Sequence, residues 1–292
     1  MEPDRTSVRK RAASLIAEAA ETLRQAAVES PELDGEILLA AAAGIERSKL
    51  LTGSFALDDA CIGRFRQFVT RRAAREPLAY IVGHKEFYGL DFEVNRHVLI
   101  PRPETEFVVE AALKVVRGKS RARVLDLATG SGAIAIVIAL SAPDVMVAAT
   151  DISALALEIA RRNTHRQGCA NRIEFFTGDC FAALPCSHRK FDLIISNPPY
   201  VRDDEIDGLQ PEVARYEPRI ALRGGKDGLD FYRRIAAQVG SHLNAGGEVV
   251  LEVGAGQAAD VVRILKAAGC HTVETIRDFD GHERVVRARL AG

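Results

Sequence analysis

From Arg123 onward the chain alternates short apolar segments with amphipathic ones, and this alternation restricts the fold more than any other feature. Segments rich in Val, Ile and Leu over 123–128, 146–151, 173–179, 191–197 and 247–254 read as strands. Residues 131–141, 154–167, 229–243 and 257–268 carry apolar side chains at helical spacing. Strand followed by helix implies parallel strands joined by right-handed crossovers, hence an α/β doubly wound open sheet. Two more strands, 272–278 and 283–290, flank Asp280-Gly281, and so short a turn makes that pair antiparallel. The expectation is a mostly parallel sheet of seven strands.

The first 76 residues offer no convincing strand. Helices are expected over 7–28, broken by Pro31; over 33–43, ended by Gly44; over a short 45–51; and from a cap at Asp58 or Asp59 to about Arg75. They would form a small helical domain, 1–76. Residues 77–100 change character: Tyr80-Ile81-Val82, Glu86-Phe87-Tyr88 and Asp91-Phe92-Glu93-Val94 alternate like short strands, and Gly89 marks a hairpin between the last two. This stretch is expected to link the helical domain to a sheet domain, 101–292. Pro101-Arg102-Pro103-Glu104-Thr105-Glu106 then reads as a rigid turn opening a helix to about Val116, with Thr105 suited to the helix N-terminus.

Composition removes several classes. Of the 292 residues, 47% are apolar and 27% charged, which is ordinary for a globular chain and too apolar for disorder. The longest apolar run, 133–140, is far short of the ~20 residues a bilayer span needs. The charged N-terminus does not read as a secretory signal. Cys61, Cys169, Cys180, Cys186 and Cys270 form no CxxC pair, and the histidines form no HExxH, so a reducing, cytoplasmic protein without a metal site is expected. Residues 1–100 carry 14 basic and 15 acidic side chains, and residues 101–292 carry 25 of each. Nucleic-acid binders usually show a basic excess, because phosphate neutralisation drives their affinity, so neither nucleic acid nor membrane is an expected partner.

Three places carry chemistry. The first is the turn after the first sheet strand, Asp126-Leu127-Ala128-Thr129-Gly130-Ser131-Gly132, where glycines let backbone approach a ligand and a helix begins. Read as Gly130-Ser131-Gly132-Ala133-Ile134-Ala135 it also fits GxGxxA, a dinucleotide fingerprint. The second is Asp151, closing the second strand, which suits a ribose diol or, alternatively, the N-cap of the next helix. These two alone fit NAD as well as S-adenosylmethionine. The third is Ser196-Asn197-Pro198-Pro199-Tyr200 at the carboxyl end of a central strand, where doubly wound sheets bind ligands. Two prolines remove two N–H donors, and Asn197 adds a side-chain acceptor. A rigid clamp rich in acceptors suits an –NH₂ group.

Asn197-Pro198-Pro199-Tyr200 behind a glycine-turn sheet resembles the amino methyltransferases that use S-adenosylmethionine. The segment Pro101 to Glu106 resembles the signature of a narrower group, the protein-(glutamine) methyltransferases. Glu217-Pro218 with Ala221-Leu222, then Gly224-Gly225-Lys226-Asp227-Gly228-Leu229, then Leu251-Glu252-Val253-Gly254 add to it. Over its whole length the chain resembles the peptide chain release factor glutamine methyltransferases, the HemK/PrmC family, which have a Rossmann-like class I methyltransferase domain. The resemblance implies an enzyme that moves a methyl group from S-adenosyl-L-methionine, leaving S-adenosyl-L-homocysteine. The acceptor it implies is the side-chain amide nitrogen of the glutamine in the Gly-Gly-Gln tripeptide of class 1 bacterial release factors. By position it assigns Ala128, Thr129, Gly130, Ser131 and Gly132 to the methionine end of the cofactor, Asp151 to its ribose, and Asp179 and Cys180 to its adenine. Asn197 would touch both cofactor and substrate, with Pro198, Pro199 and Tyr200 completing the catalytic clamp on the substrate amide. Two positions depart from the family pattern. Ala128 stands where glycine is usual, which is tolerated unless positive φ is required, and Cys180 stands where relatives can carry an aromatic residue.

On this reading Asn197 and the Pro198 carbonyl accept the two amide hydrogens and align the nitrogen, with no general base in evidence. Arg102 and its neighbours, with Leu99 and Ile100 as an apolar wall, would either close the site or serve as a helix cap and linker. Arg64, Arg66, Arg71, Arg72 and Arg75 would either dock a partner or form a solvated helix face. Competing readings are a nucleic-acid amino methyltransferase, a ribosomal-protein glutamine methyltransferase, an NAD-dependent oxidoreductase and a non-catalytic binding module.

Overall fold

A computed structural model describes residues 5–185 and 190–291; Cys186 lies outside the described residues. The chain divides into two compact units, one reaching to Gly83 and also taking in Gln210–Tyr216, the other comprising the rest from His84.

The first unit is helical. Helix α1 (Arg5–Gln25) buries the stripe Ala12, Leu15, Ala19, Ala20 and Leu23. Helix α2 (Pro31–Ala43) starts on a proline, whose missing N–H is not needed there, and stops at Gly44 in the left-handed region. A 3₁₀ turn, Arg47–Leu51, follows. Asp58 caps α3 (Asp59–Ala73) by accepting from the Cys61 N–H at 2.7 Å. Leu23, Leu38, Leu39 and Phe65 are at the centre of this core. Tyr80-Ile81-Val82, expected as a strand, lies instead in a one-turn helix α4 (Leu78–Val82) between Pro77 and the left-handed Gly83. Three apolar residues are too few for periodicity to separate strand from helix. Burial of Ile81 in the helical core decides it.

Helix α8 (Pro211–Tyr216), far downstream in sequence, belongs to the same unit. It is held by ions. Arg72 donates to Asp34 at 2.7 Å and to Glu212 at 2.8 Å, and Arg75 donates to both Glu212 oxygens at 2.7 and 2.6 Å. Arg64 donates to the Ala42 carbonyl, and Arg71 pairs with Glu76. Arg72 and Arg75 are therefore internal structure, whereas Arg64 and Arg66 are exposed. Tyr216 adds a hydrogen bond to the Ala74 carbonyl at 2.8 Å.

The second unit opens with a hairpin, β1 (His84–Phe87) and β2 (Leu90–Glu93), turning at Tyr88-Gly89. Helix α5 (Glu106–Val116) follows a 3₁₀ turn, Pro103–Thr105. Next come β3 (Arg123–Leu127), α6 (Ala133–Ser141), β4 (Met146–Asp151), α7 (Ala154–Arg166), β5 (Ile173–Thr177), β6 (Phe191–Ser196), a short α9 (Arg219–Leu222), α10 (Asp230–His242), β7 (Leu243–Glu252), α11 (Ala258–Ala267), β8 (Cys270–Arg277) and β9 (Glu283–Leu290). The seven-stranded sheet runs β5-β4-β3-β6-β7-β9-β8. Its first five strands pair in parallel and the last two join antiparallel. Alternate residues bury opposite faces: Val124, Val147 and Leu193 pack with α5 and α6, while Leu125, Ala148 and Ile194 pack with the α10 and α11 side. The hairpin packs on α7, where the Asn163 side chain both accepts from the Glu93 N–H at 2.7 Å and donates to the Glu93 carbonyl at 3.0 Å. No helix among the described residues is long and apolar enough to cross a membrane.

Burial works against an ionised Glu212, but hydrogen bonds from Arg75 and Arg72 prevail and hold its carboxyl down at about 2. A depressed acid stabilises above its ordinary range and loses that stability as pH falls toward the folded value. Glu212→Ala should therefore cost about 2–4 kcal/mol at neutral pH, by leaving Arg75 without a carboxylate and the buried Arg72 with Asp34 alone. Denaturant titrations should show the gap between wild type and variant closing between about pH 4.5 and 2. A gap that does not vary with pH would show that the ion pairs are not its source.

Candidate functional site

The strand order reverses direction between β3 and β6, so the loops after these strands diverge and leave a crevice at the carboxyl edge of the sheet. A cavity of about 260 Å³ lies there, lined among others by Ala128, Gly130, Asp151, Asp179, Cys180, Asn197 and Pro199. Residues from four separate loops thus meet in one place.

Asp151 ends β4, and burial pushes its carboxyl pKa up against the hydrogen bonds from the Ser153 and Gly130 N–H groups. Its Oδ2 accepts from the Gly130 N–H and its Oδ1 from the Ser153 N–H, both at 2.9 Å. Each oxygen keeps a further lone pair. The N-cap role on α7 belongs to Ser153, whose Oγ accepts from the Ala156 N–H at 3.1 Å. Thr129, Ser131 and Gly132, expected at the cofactor, do not line the cavity. The Thr129 hydroxyl donates to the buried Asp126 at 2.6 Å, and the Ser131 carbonyl accepts from Asn163 at 2.9 Å. Burial raises the Asp126 carboxyl to about 7 against the Thr129 hydrogen bond.

Ala128 adopts φ +56°, the left-handed conformation in which a Cβ is strained. The substitution for glycine that looked harmless therefore has a local cost. Cys180, at φ +50°, is buried, and burial lifts its thiol to about 12, so it is no thiolate nucleophile. Asp179 is half-exposed and paired with Arg234.

β6 ends at Ser196, whose hydroxyl donates to the Leu127 carbonyl at 2.6 Å and so fastens the two switch-point strands together. Beyond it the Asn197 Nδ2 donates to the Thr105 hydroxyl at 3.1 Å. That hydroxyl in turn donates to Glu252 Oε2 at 2.6 Å, and the Tyr200 hydroxyl donates to Glu252 Oε1 at 3.3 Å. Burial raises the Glu252 carboxyl to about 7, with the Thr105 and Tyr200 hydrogen bonds restraining it. Thr105, expected as a helix cap, makes no cap hydrogen bond; the stronger acceptor on β7 takes its proton.

Pro199 lines the cavity, whereas Pro198 is buried and Tyr200 turns toward Glu252 rather than offering its face. The glycine-rich loop explains this. A Cβ on Gly224 would lie 2.7 Å from the Tyr200 backbone, and one on Gly228 only 2.4 Å from the Tyr200 carbonyl oxygen. Gln257 donates to that same carbonyl at 2.9 Å. Arg102 pairs with the buried Glu217 at 2.6 Å, tying the Pro101–Glu106 segment to the residues before Pro218, and Leu99 and Pro218 line the cavity. At the level of sequence, Thr105 and Glu252 stand only within signature segments, and neither is given a role of its own in the site. A lone acid at the end of the otherwise apolar run Val249-Val250-Leu251 was the available signal. Among the described residues no cluster of His, Cys, Asp and Glu suits a metal ion.

Ala128→Gly should relieve the left-handed strain and raise stability by about 0.5–1 kcal/mol net of glycine's extra chain entropy. Thermal or denaturant unfolding measures this, and an unchanged or lowered stability would mean that the conformation is not strained.

Comparison with known proteins agrees with this geometry. Residues 14–83 match the PrmC N-terminal domain family and residues 105–211 the methyltransferase small domain family. A release factor glutamine methyltransferase of Geobacter sulfurreducens is 43% identical over 269 residues, 92% of this chain and 93% of the relative. One from Cereibacter sphaeroides is 42% identical over 96% of this chain and 99% of its own. A crystal structure of a methyltransferase from Pyrococcus furiosus shares the fold at 22% identity, with a TM-score of 0.52 over 76% of this chain and 99% of that one. With identity of this order sustained across both units, the chain belongs to the release factor glutamine methyltransferase family.

Proposed function

We propose that the enzyme methylates the side-chain amide nitrogen of the glutamine in the Gly-Gly-Gln tripeptide of bacterial class 1 release factors, in the cytoplasm, with S-adenosyl-L-methionine as methyl donor. The observation that carries this reading is the single cavity shared by Asp151, Gly130 and Asn197. Its donor set fits a nucleoside with a charged tail: Asp151 has lone pairs for a ribose diol, and nothing lies within 4 Å of a Cβ position on Gly130. Ala128 and Gly130 would take the methionine end, Asp179 and Cys180 the adenine. When bound, S-adenosylmethionine supplies an electrophilic methyl on a sulfonium. The helical unit serves as the substrate-recognition domain.

A glutamine amide nitrogen is a weak nucleophile because its lone pair is delocalised into the carbonyl. The enzyme's contribution is alignment and charge. Asn197 Oδ1 and the Pro198 carbonyl accept the two amide hydrogens and aim the nitrogen. The same acceptors meet the positive charge that grows on it, a gain larger at the transition state than in the ground state. Pro199 and Leu99 exclude water from the sulfonium side. The proton leaves to solvent after transfer.

The test is methyl transfer from labelled S-adenosylmethionine to full-length release factor, to its Gln→Ala variant, and to bulk RNA and DNA. Label is expected on the release factor and lost in the variant. Label on nucleic acid instead would overturn the acceptor assignment. Asn197→Ala should lower kcat roughly 100- to 1000-fold with cofactor affinity within a few fold. Asp151→Ala should weaken cofactor binding about 10- to 100-fold, read by calorimetry.

A further inference from the structure

We propose that Glu252, acting through the Thr105 hydroxyl, fixes which end of the Asn197 carboxamide faces the acceptor, and so makes the clamp select a neutral –NH₂ group over a carboxylate. The inference rests on the proposed acceptor and explains how that acceptor is told apart from its nearest isostere, glutamate.

A carboxamide has two nearly isosteric ends, one accepting and one donating. Turned one way, Asn197 offers an acceptor to an incoming –NH₂. Turned the other way, it offers N–H donors, which repel an amide nitrogen and suit a carboxylate. The local network decides between them. The Thr105 hydroxyl has one proton, and it lies 2.6 Å from Glu252 Oε2 and 3.1 Å from the Asn197 side chain. A protonated Glu252 imposes no direction, but above a pH of about 7 its carboxyl is ionised and has no proton to give, so there Thr105 must donate to Glu252 and can only accept from Asn197. That turns Nδ2 toward Thr105 and leaves Oδ1 for the cavity. The Tyr200 hydroxyl occupies the other Glu252 side-chain oxygen at 3.3 Å, and the Tyr232 hydroxyl donates to the Glu252 backbone carbonyl at 2.9 Å. Glu104 and Arg284 are the charged groups whose fields reach it, with opposing effects.

The choice of residue supports the same conclusion. Glu252 is 2% exposed and has no ion-pair partner among the described residues. Burying a carboxylate on two hydroxyls is unfavourable, and a glutamine would fit the space at less cost. A glutamine, however, carries a donor as well as an acceptor and would leave the direction of the Thr105 proton undetermined. An acceptor-only group is what imposes one direction on the chain of hydrogen bonds. Thr105 and Glu252 are positioning residues, since neither lines the cavity.

The test compares wild type with Thr105→Val, which removes the hydroxyl at nearly constant shape, and Thr105→Ser, which keeps it, in buffer alkaline enough to ionise Glu252. Hydrogen exchange at the Asn197 side-chain amide, assigned by its absence in Asn197→Ala, reads the relay without any acceptor. Exchange is expected to be slow in wild type and Thr105→Ser and at least about tenfold faster in Thr105→Val. Equal exchange in all three overturns the relay. With full-length release factor, Thr105→Val should lower kcat about 10- to 100-fold, with the cofactor KM unchanged and Thr105→Ser close to wild type. The Gln→Glu release factor should compete about tenfold more strongly against Thr105→Val than against wild type. Unchanged discrimination overturns the role in selection. A wild type that methylates no release factor would remove the acceptor assignment, while the exchange result would still decide the relay.

Discussion

A single buried carboxylate, Glu252, sits where three otherwise separate segments meet. It receives the Thr105 hydroxyl from the segment before α5 and the Tyr200 hydroxyl from the loop after β6, while its own strand, β7, neighbours β6 in parallel. Hydrogen bonds to an ionised acceptor are stronger than neutral ones, and in a dry interior there is no water to replace them. The position of the clamp therefore depends on this acid. Removing it would leave two hydroxyls and the Asn197 amide to find new partners in a space that offers few.

The same convergence accounts for sequence signatures that are scattered along the chain. Gly224 and Gly228 are glycine because Tyr200 backbone passes within 2.7 and 2.4 Å of where their Cβ atoms would be. A Cβ on Gly254 would likewise lie 3.0 Å from the Tyr200 ring and 2.7 Å from Gln257 Oε1. Val201 and Arg223 form a short parallel bridge that locks the two loops in register. Arg102 and Glu217 join a fourth segment by a partly buried ion pair. Signatures separated by more than a hundred residues thus describe one object, a turn of four residues held from all sides. Prolines remove its backbone freedom, and the glycines let neighbours approach closely enough to remove what is left.

This also explains what was legible in the sequence. The sheet could be read because buried parallel strands are continuous apolar runs and their helices have a clear period. Asp151 and Asn197 could be placed because both close such a strand. Thr105 could not, since a threonine before a helix has a strong local role as a cap, and only the fold brings Glu252 to it from 147 positions away. The arginines of α3 misled for a related reason. Their partner Glu212 is about 140 positions distant, so the run looked unpaired. Ala128 was expected to be tolerated unless it needed positive φ, and its strain depends on that φ, which local sequence does not disclose.

Acidity links the site to stability, and the two units respond in opposite directions. In the helical unit Glu212 is held at about 2, so its ion pairs stabilise above the ordinary carboxylate range and fail only as pH falls toward that value. In the sheet unit burial raises Asp126 and Glu252 to about 7. A raised acid favours the folded state while it is protonated, and that contribution is lost as pH rises through the folded value. Acidification from neutrality to about pH 4.5 thus relieves the sheet unit and leaves the helical unit's ion pairs intact. The sheet unit accepts two unfavourable buried acids beside its cavity, under the Gly130 turn and behind Asn197. Such a cost persists in a fold where a group is needed for its polarity rather than for its packing. For Glu252 that need is direction: an ionised acceptor, and no neutral residue of the same shape, obliges every hydroxyl and amide in line with it to point one way.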